Sequence, residues 1–118
     1  MPFRTITRAL PAERFAISSV TAAELLVGVD RANSPQLREQ RVRIVERVLS
    51  DLPVLPYDLP VARIHARLWA QLAMAGTIIG DRDLMIAATA LTHGYDVLTH
   101  NVRHFARVPG LVVWQPDW

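Results

Sequence analysis

From Phe15 onward, short apolar runs rich in β-branched residues alternate with longer stretches whose apolar positions recur at helical spacing. Phe15 to Val20 is β-prone, and Ser19 or Thr21 can cap a helix through about Ala32 that carries Glu24 in its first turns. Ser34 followed by Pro35 is a cap with proline at the first helical position, and it predicts a helix to about Ser50. The stripe Leu37, Ile44, Val45, Val48 and Leu49 forms its buried face, with arginines and glutamates opposite. Pro53 to Tyr57 reads as a strand. Asp58 with Pro60 opens a helix that ends at Gly76, a left-handed C-terminal cap. Asp81 or Arg82 opens a helix over Asp83 to His93, closed by Gly94, and Asp96 to Thr99 and Leu111 to Trp114 are the later strands. The order β-α-α-β-α-α-β-α-β predicts an α/β fold, an open parallel sheet with helices on its faces.

Length, charge and residue usage narrow the possibilities. At 118 residues the chain is expected to be one domain, residues 1–118, with a real hydrophobic core. The absence of cysteine excludes disulfides and thiolate metal sites and fits a reducing, cytoplasmic setting. Met1 to Pro11 is basic without the apolar run of a signal peptide, and nowhere do 18 uninterrupted apolar residues occur, so the chain is read as soluble and free of the membrane. The net charge is only +2, yet all 13 basic residues are arginine. Arginine forks grip phosphate oxygens in pairs, although such usage also follows from base composition alone. Arg38, Arg41, Arg43 and Arg47 form one cluster; Arg82, Arg103 and Arg107 flank an acidic one.

That acidic constellation carries the chemistry. Open α/β sheets bind ligands beyond the carboxyl ends of their strands, and Glu24, Asp81, Asp83, Thr99 and Asn101 fall just after predicted strands or at helix starts. Carboxylates gathered there repel one another and suit a hard divalent cation such as Mg²⁺ or Mn²⁺. Plainer roles compete. Asp81 makes a good N-cap, Asp83 suits the positive end of a helix dipole, and Glu24 is an acceptable solvated first-turn residue. His100 and His104, four apart, can share a helical face and hold a transition metal, but no third ligand stands at a metalloprotease spacing, so surface or supporting roles are expected. Trp69, Trp114 and Trp118 are read as core or interface anchors.

Three runs resemble a known family: Ile17-Ser18-Ser19-Val20-Thr21-Ala22-Ala23-Glu24-Leu25-Leu26-Val27-Gly28-Val29, Asp83-Leu84-Met85-Ile86-Ala87-Ala88-Thr89-Ala90, and Leu98-Thr99-His100-Asn101-Val102-Arg103-His104-Phe105. Together they look like a PIN domain of the VapC toxin type, over about Phe15 to Trp114. The resemblance implies a three-layer PIN-like fold with a central parallel sheet flanked by helices. It implies Glu24 and Asp83 as metal-site acids with catalytic roles, Asn101 at the less constant fourth position, and Thr99 as the threonine before it. It further implies a Mg²⁺- or Mn²⁺-dependent endoribonuclease cutting structured RNA such as tRNA or rRNA, held inactive by a VapB-type antitoxin, and a homodimer. Asp81 is expected to assist the metal through water, with His104 and Thr99 in supporting positions and Arg82 and Arg103 on RNA phosphates.

Two departures qualify the resemblance. Family members begin with a strand ending in aspartate, and no such segment precedes Phe15; Thr5 to Thr7 can pass as a short strand, but no aspartate follows it, so the usual N-terminal strand and first acid are expected to be missing. A late start codon, a degraded toxin, and a substitute strand from elsewhere all stay open. His104 stands where many relatives carry Asp or Glu. The leading expectation is a ribonuclease toxin; the alternative is a catalytically inactive PIN-like module that binds antitoxin or RNA without cutting.

Overall fold

The computed structural model describes residues 4–6 and 15–116. The chain separates into two compact units: one formed by an N-terminal strand together with the residues from Tyr57 onward, the other by the intervening residues up to Pro56.

In the smaller unit, strand β2 (Ile17–Ser18) leads directly into helix α1 (Ser19–Asp30). Ser18, buried at the junction, is the N-cap. Its Oγ accepts from the Thr21 amide at 3.0 Å and donates to Thr21 Oγ1, so the cap falls one residue before Ser19 and three before Thr21, the two expected positions. Helix α2 (Pro35–Asp51) begins as anticipated, with Ser34 Oγ accepting from the Leu37 amide at 3.1 Å and proline in the first turn. Of the expected stripe, Val45 is buried and Leu37, Val48 and Leu49 half-buried. Ile44 is 65% exposed, because one residue from Val45 is a turn of roughly 100° away from the buried face. Strand β3 (Val54–Leu55) pairs in parallel with β2, Ile17 opposite Val54.

In the larger unit, helix α3 (Leu59–Met74) is capped by Asp58, and the chain leaves it through Gly76 at φ 70°. Helix α4 (Asp81–His93) packs along it. Ala87, Ala88 and Ala90 on α4 are buried, and their small side chains admit the close approach that encloses Val61, Leu68 and Leu72 of α3 together with Leu84. Thr89, 1% exposed, turns its hydroxyl to the Met85 carbonyl at 2.7 Å, which satisfies it without a partner from another element. Gly94, at φ 74°, ends α4 as expected.

Strand β4 (Val97–Leu98), the one-turn helix α5 (Val102–Phe105) and strand β5 (Val113–Pro116) complete the order. Val97, Phe105, Val108 and Val113 join the α3–α4 core. Strand β4 covers only the middle two residues of the expected Asp96 to Thr99, and β5 keeps the expected length but lies two residues beyond the expected Leu111 to Trp114.

One expectation is corrected. A strand does precede Phe15: β1 (Arg4–Ile6) runs parallel to β5, with Arg4 opposite Trp114 and Ile6 opposite Pro116. It carries no carboxylate, and it lies on the outer side of β5, giving the order β1-β5-β4. Among the described residues every strand pairing is parallel, as the element order predicts, in a three-stranded sheet in the larger unit and a two-stranded sheet in the smaller.

Candidate metal centre

Helix α4 opens at Gly80, whose lack of a side chain leaves the first-turn amides uncapped. Asp81 makes no capping hydrogen bond, so its reading as the N-cap is corrected: it lies inside the first turn with Asp83, and both carboxylates face the positive end of the helix. Asp81 is exposed, whereas the Asp83 side chain keeps 25% of its surface.

Beyond β4 the chain turns through Thr99 and Asn101. Thr99 Oγ1 accepts from the Asn101 amide at 2.9 Å, a local bond that sets the turn. Asn101 occupies the N-cap position of α5, yet its side chain makes no cap. Its amide nitrogen lies 2.9 Å from Nδ1 of His104, one turn on, and that same Nδ1 lies 3.0 Å from Oδ2 of Asp83. Thus two expected ligands, Asp83 and Asn101, meet through a histidine assigned only a supporting role. The signal for its closer involvement was the three-residue spacing of Asn101 and His104, which puts them on one face of a helical turn.

The remaining candidates are placed as follows. Glu24 is exposed on α1 in the other unit. Arg82, between the two aspartates, and Arg103, on α5, are both exposed. His100 is exposed and takes no place in the Asp83 cluster; His93 buries Nε2 without a hydrogen-bond partner among the described residues. Within the arginine-rich helix α2, Arg38 pairs with Asp30 at 2.9 Å, Arg41 donates to the Gly28 carbonyl at 2.6 Å and Arg47 lies 3.6 Å from Asp51. Three of these four arginines are therefore engaged within the protein.

Among the described residues no group of three or more His, Asp or Glu side chains is arranged to hold a metal ion. What converges at His104 Nδ1 is a carboxylate and a carboxamide, each within hydrogen-bond distance of the imidazole. Two donors about 2.1 Å from a six-coordinate ion and at right angles to each other are about 3.0 Å apart, close to the two separations at Nδ1. With its oxygen turned toward Nδ1, the Asn101 amide presents a hard donor beside that of Asp83.

A parallel α/β fold with an acid in the first turn of the helix before β4, and a Thr-x-Asn turn just after that strand, is the arrangement expected of a PIN-type nuclease domain. The chain belongs to the PIN-domain family, whose family model matches residues 2–111. It is 41% identical to Ribonuclease VapC1 of Rickettsia felis over 97 residues, 82% of this chain and 72% of the relative. It is 38% identical to the tRNA(fMet)-specific endonuclease VapC of Salmonella typhimurium over 109 residues, 92% of this chain and 79% of the relative. The crystal structure of DNA-bound VapBC from Salmonella typhimurium superimposes with a TM-score of 0.80 at 36% identity, covering 88% of this chain and 76% of that one.

Proposed function

We propose that this protein is a Mg²⁺- or Mn²⁺-dependent endoribonuclease of a toxin–antitoxin pair that hydrolyses phosphodiester bonds in structured RNA. The observation that carries the reading is the similarity to a tRNA(fMet)-specific endonuclease across 92% of the chain. The acid in the first turn of α4, in contact with the residues after β4, agrees with it.

A bound divalent cation would polarise a phosphoryl oxygen and lower the pKa of a coordinated water. The chain's own residues supply its setting. Asp83 is the principal acid, held at a helix N-terminus whose unpaired amides favour the negative charge of carboxylate and phosphate alike. Thr99 keeps the Asn101 backbone in the turn that presents its amide. Glu24 is assigned to the metal site by the motif it shares with the family, with Asp81 acting through water. Arg82 and Arg103 are exposed beside this chemistry and are assigned to phosphate contacts.

A VapB-type antitoxin is the proposed protein partner, in keeping with the VapBC assembly of the structural neighbour, and a homodimer, which the family resemblance implies, is the proposed oligomer. Among the described residues no helix is long and apolar enough to cross a membrane, and the proposed location is the cytoplasm, where the RNA substrate is found. No specific observation favours the inactive-module alternative.

The deciding experiment is incubation of the purified chain with a total tRNA pool and Mn²⁺ or Mg²⁺, beside Asp83→Ala. Discrete metal-dependent cleavage lost in the variant supports the reading. Folded protein that leaves all RNA intact with either cation overturns it.

A further inference from the structure

Nδ1 of His104 faces two neighbours that make incompatible demands. A ring nitrogen offers either one N–H or one lone pair. If it accepts from the Asn101 amide at 2.9 Å, its lone pair is spent and the Asp83 oxygen at 3.0 Å meets no donor; if it donates to Asp83, the amide N–H points at another N–H. Two arrangements relieve the conflict. In one, the amide turns its oxygen inward and Nδ1–H is shared between two acceptors. In the other, the hydrogen resides on Nε2, and the Nδ1 lone pair, between the carboxylate and the turned amide oxygen, is left to a cation.

We propose that His104 is a direct nitrogen ligand of the divalent cation and tunes this site toward Mn²⁺ and away from Mg²⁺. The inference rests on the metal-dependent reading above and deepens it. Imidazole suits the later first-row ions, whereas Mg²⁺ is a hard ion that favours oxygen and gives up water reluctantly. The ring is already in place: His104 is held on the single turn of α5, with Nδ1 at octahedral-edge distance from both other donors. Binding would exchange hydrogen bonds at Nδ1 for a coordinate bond without moving the helix.

The test is pulsed electron paramagnetic resonance of the Mn²⁺-saturated protein, which detects a ¹⁴N nucleus bound to the ion, with calorimetric titration of Mn²⁺ and Mg²⁺ alongside. The intact chain should show imidazole nitrogen coupling. His104→Gln and His104→Glu should abolish it, His100→Gln should not, and the Mn²⁺ over Mg²⁺ affinity ratio should fall about tenfold in His104→Glu. Circular dichroism establishes that each variant is folded. Mn²⁺ binding without nitrogen coupling, or coupling that survives both His104 variants, overturns the assignment while leaving the metal-dependent reading intact. No binding of either cation overturns both.

Discussion

Trp114 Nε1 donates to Asp96 Oδ2 at 2.8 Å, so the side chain of β5 holds the residue from which β4 departs. Backbone bonds from Val97 to the Val112 carbonyl and from Thr99 to the Trp114 carbonyl continue the link to the turn carrying Asn101. Trp114→Phe keeps the aromatic body and removes the donor. The expected cost is about 0.5–1.5 kcal/mol, since the exposed carboxylate can turn to water. Amide hydrogen exchange checks it: Val97 and Thr99 should exchange faster, with the α1 amides unchanged.

Asp83→Asn tests the principal acid with almost no change in shape. Asp83 caps nothing and lies partly exposed, so stability should change by no more than about 1 kcal/mol. Cleavage should fall on the order of a hundredfold or more, because a neutral amide is a poor ligand for a hard cation. Thermal melting and cleavage rate, measured on the same preparation, separate the two effects. A variant that melts normally and cleaves normally would remove Asp83 from the centre.

Helix starts were the most legible part of the sequence because their chemistry is local: Ser34 before Pro35 and Asp58 before Pro60 each cap where expected. Gly76 and Gly94 likewise mark the ends of α3 and α4 through positive φ, which side-chain-bearing residues avoid. Strand limits were less legible. A strand ends where its neighbour stops pairing, and local propensity in Phe15 to Val20 cannot reveal that the helix begins at Ser19. Arg4–Ile6 shows the same dependence, since its pairing is with residues more than a hundred positions away. In the candidate site, motif spacing singled out Asp83, Thr99 and Asn101. The contact between Asp83 and His104 depends on how α5 meets α4 and could not be read from spacing alone.

The small-residue face of α4 yields a packing prediction. Ala88 has no exposed surface and lies in the core shared with α3. Ala88→Leu adds three heavy atoms where no space is available, so α4 must shift or neighbouring rotamers strain, at an expected cost of about 1–3 kcal/mol. Denaturant unfolding should show the loss. Ala88→Ser, nearly equal in volume, separates overpacking from polarity.

For the proposed RNA contact, Arg103→Ala should weaken binding with little regard to RNA sequence, as loss of a phosphate contact does. Filter binding of uncleaved RNA to the Asp83→Asn background, across a salt series, should give a slope smaller by about 1. An unchanged slope would make Arg103 a surface charge only.

Arg41 should behave oppositely, and the reason lies in the last turn of α1. The Arg31 amide goes to the Val27 carbonyl and the Ala32 amide to that of Val29, so the Gly28 carbonyl is passed over by the amide that would ordinarily reach it. Arg41 Nη1 supplies the missing donor at 2.6 Å from the neighbouring helix. Arg41→Met preserves the apolar stem and removes the charge-assisted bond, leaving a partly buried carbonyl to find water. The expected loss is about 1.5–3 kcal/mol of stability, with RNA affinity and its salt slope unchanged. Arg41→Lys should recover only part of that loss, since a single ammonium lacks the planar fork that reaches Gly28 from α2. Urea unfolding of the two variants, with filter binding at matched fractions folded, would distinguish this structural role from a phosphate contact: a normal melt with weakened RNA binding would return Arg41 to the nucleic-acid surface.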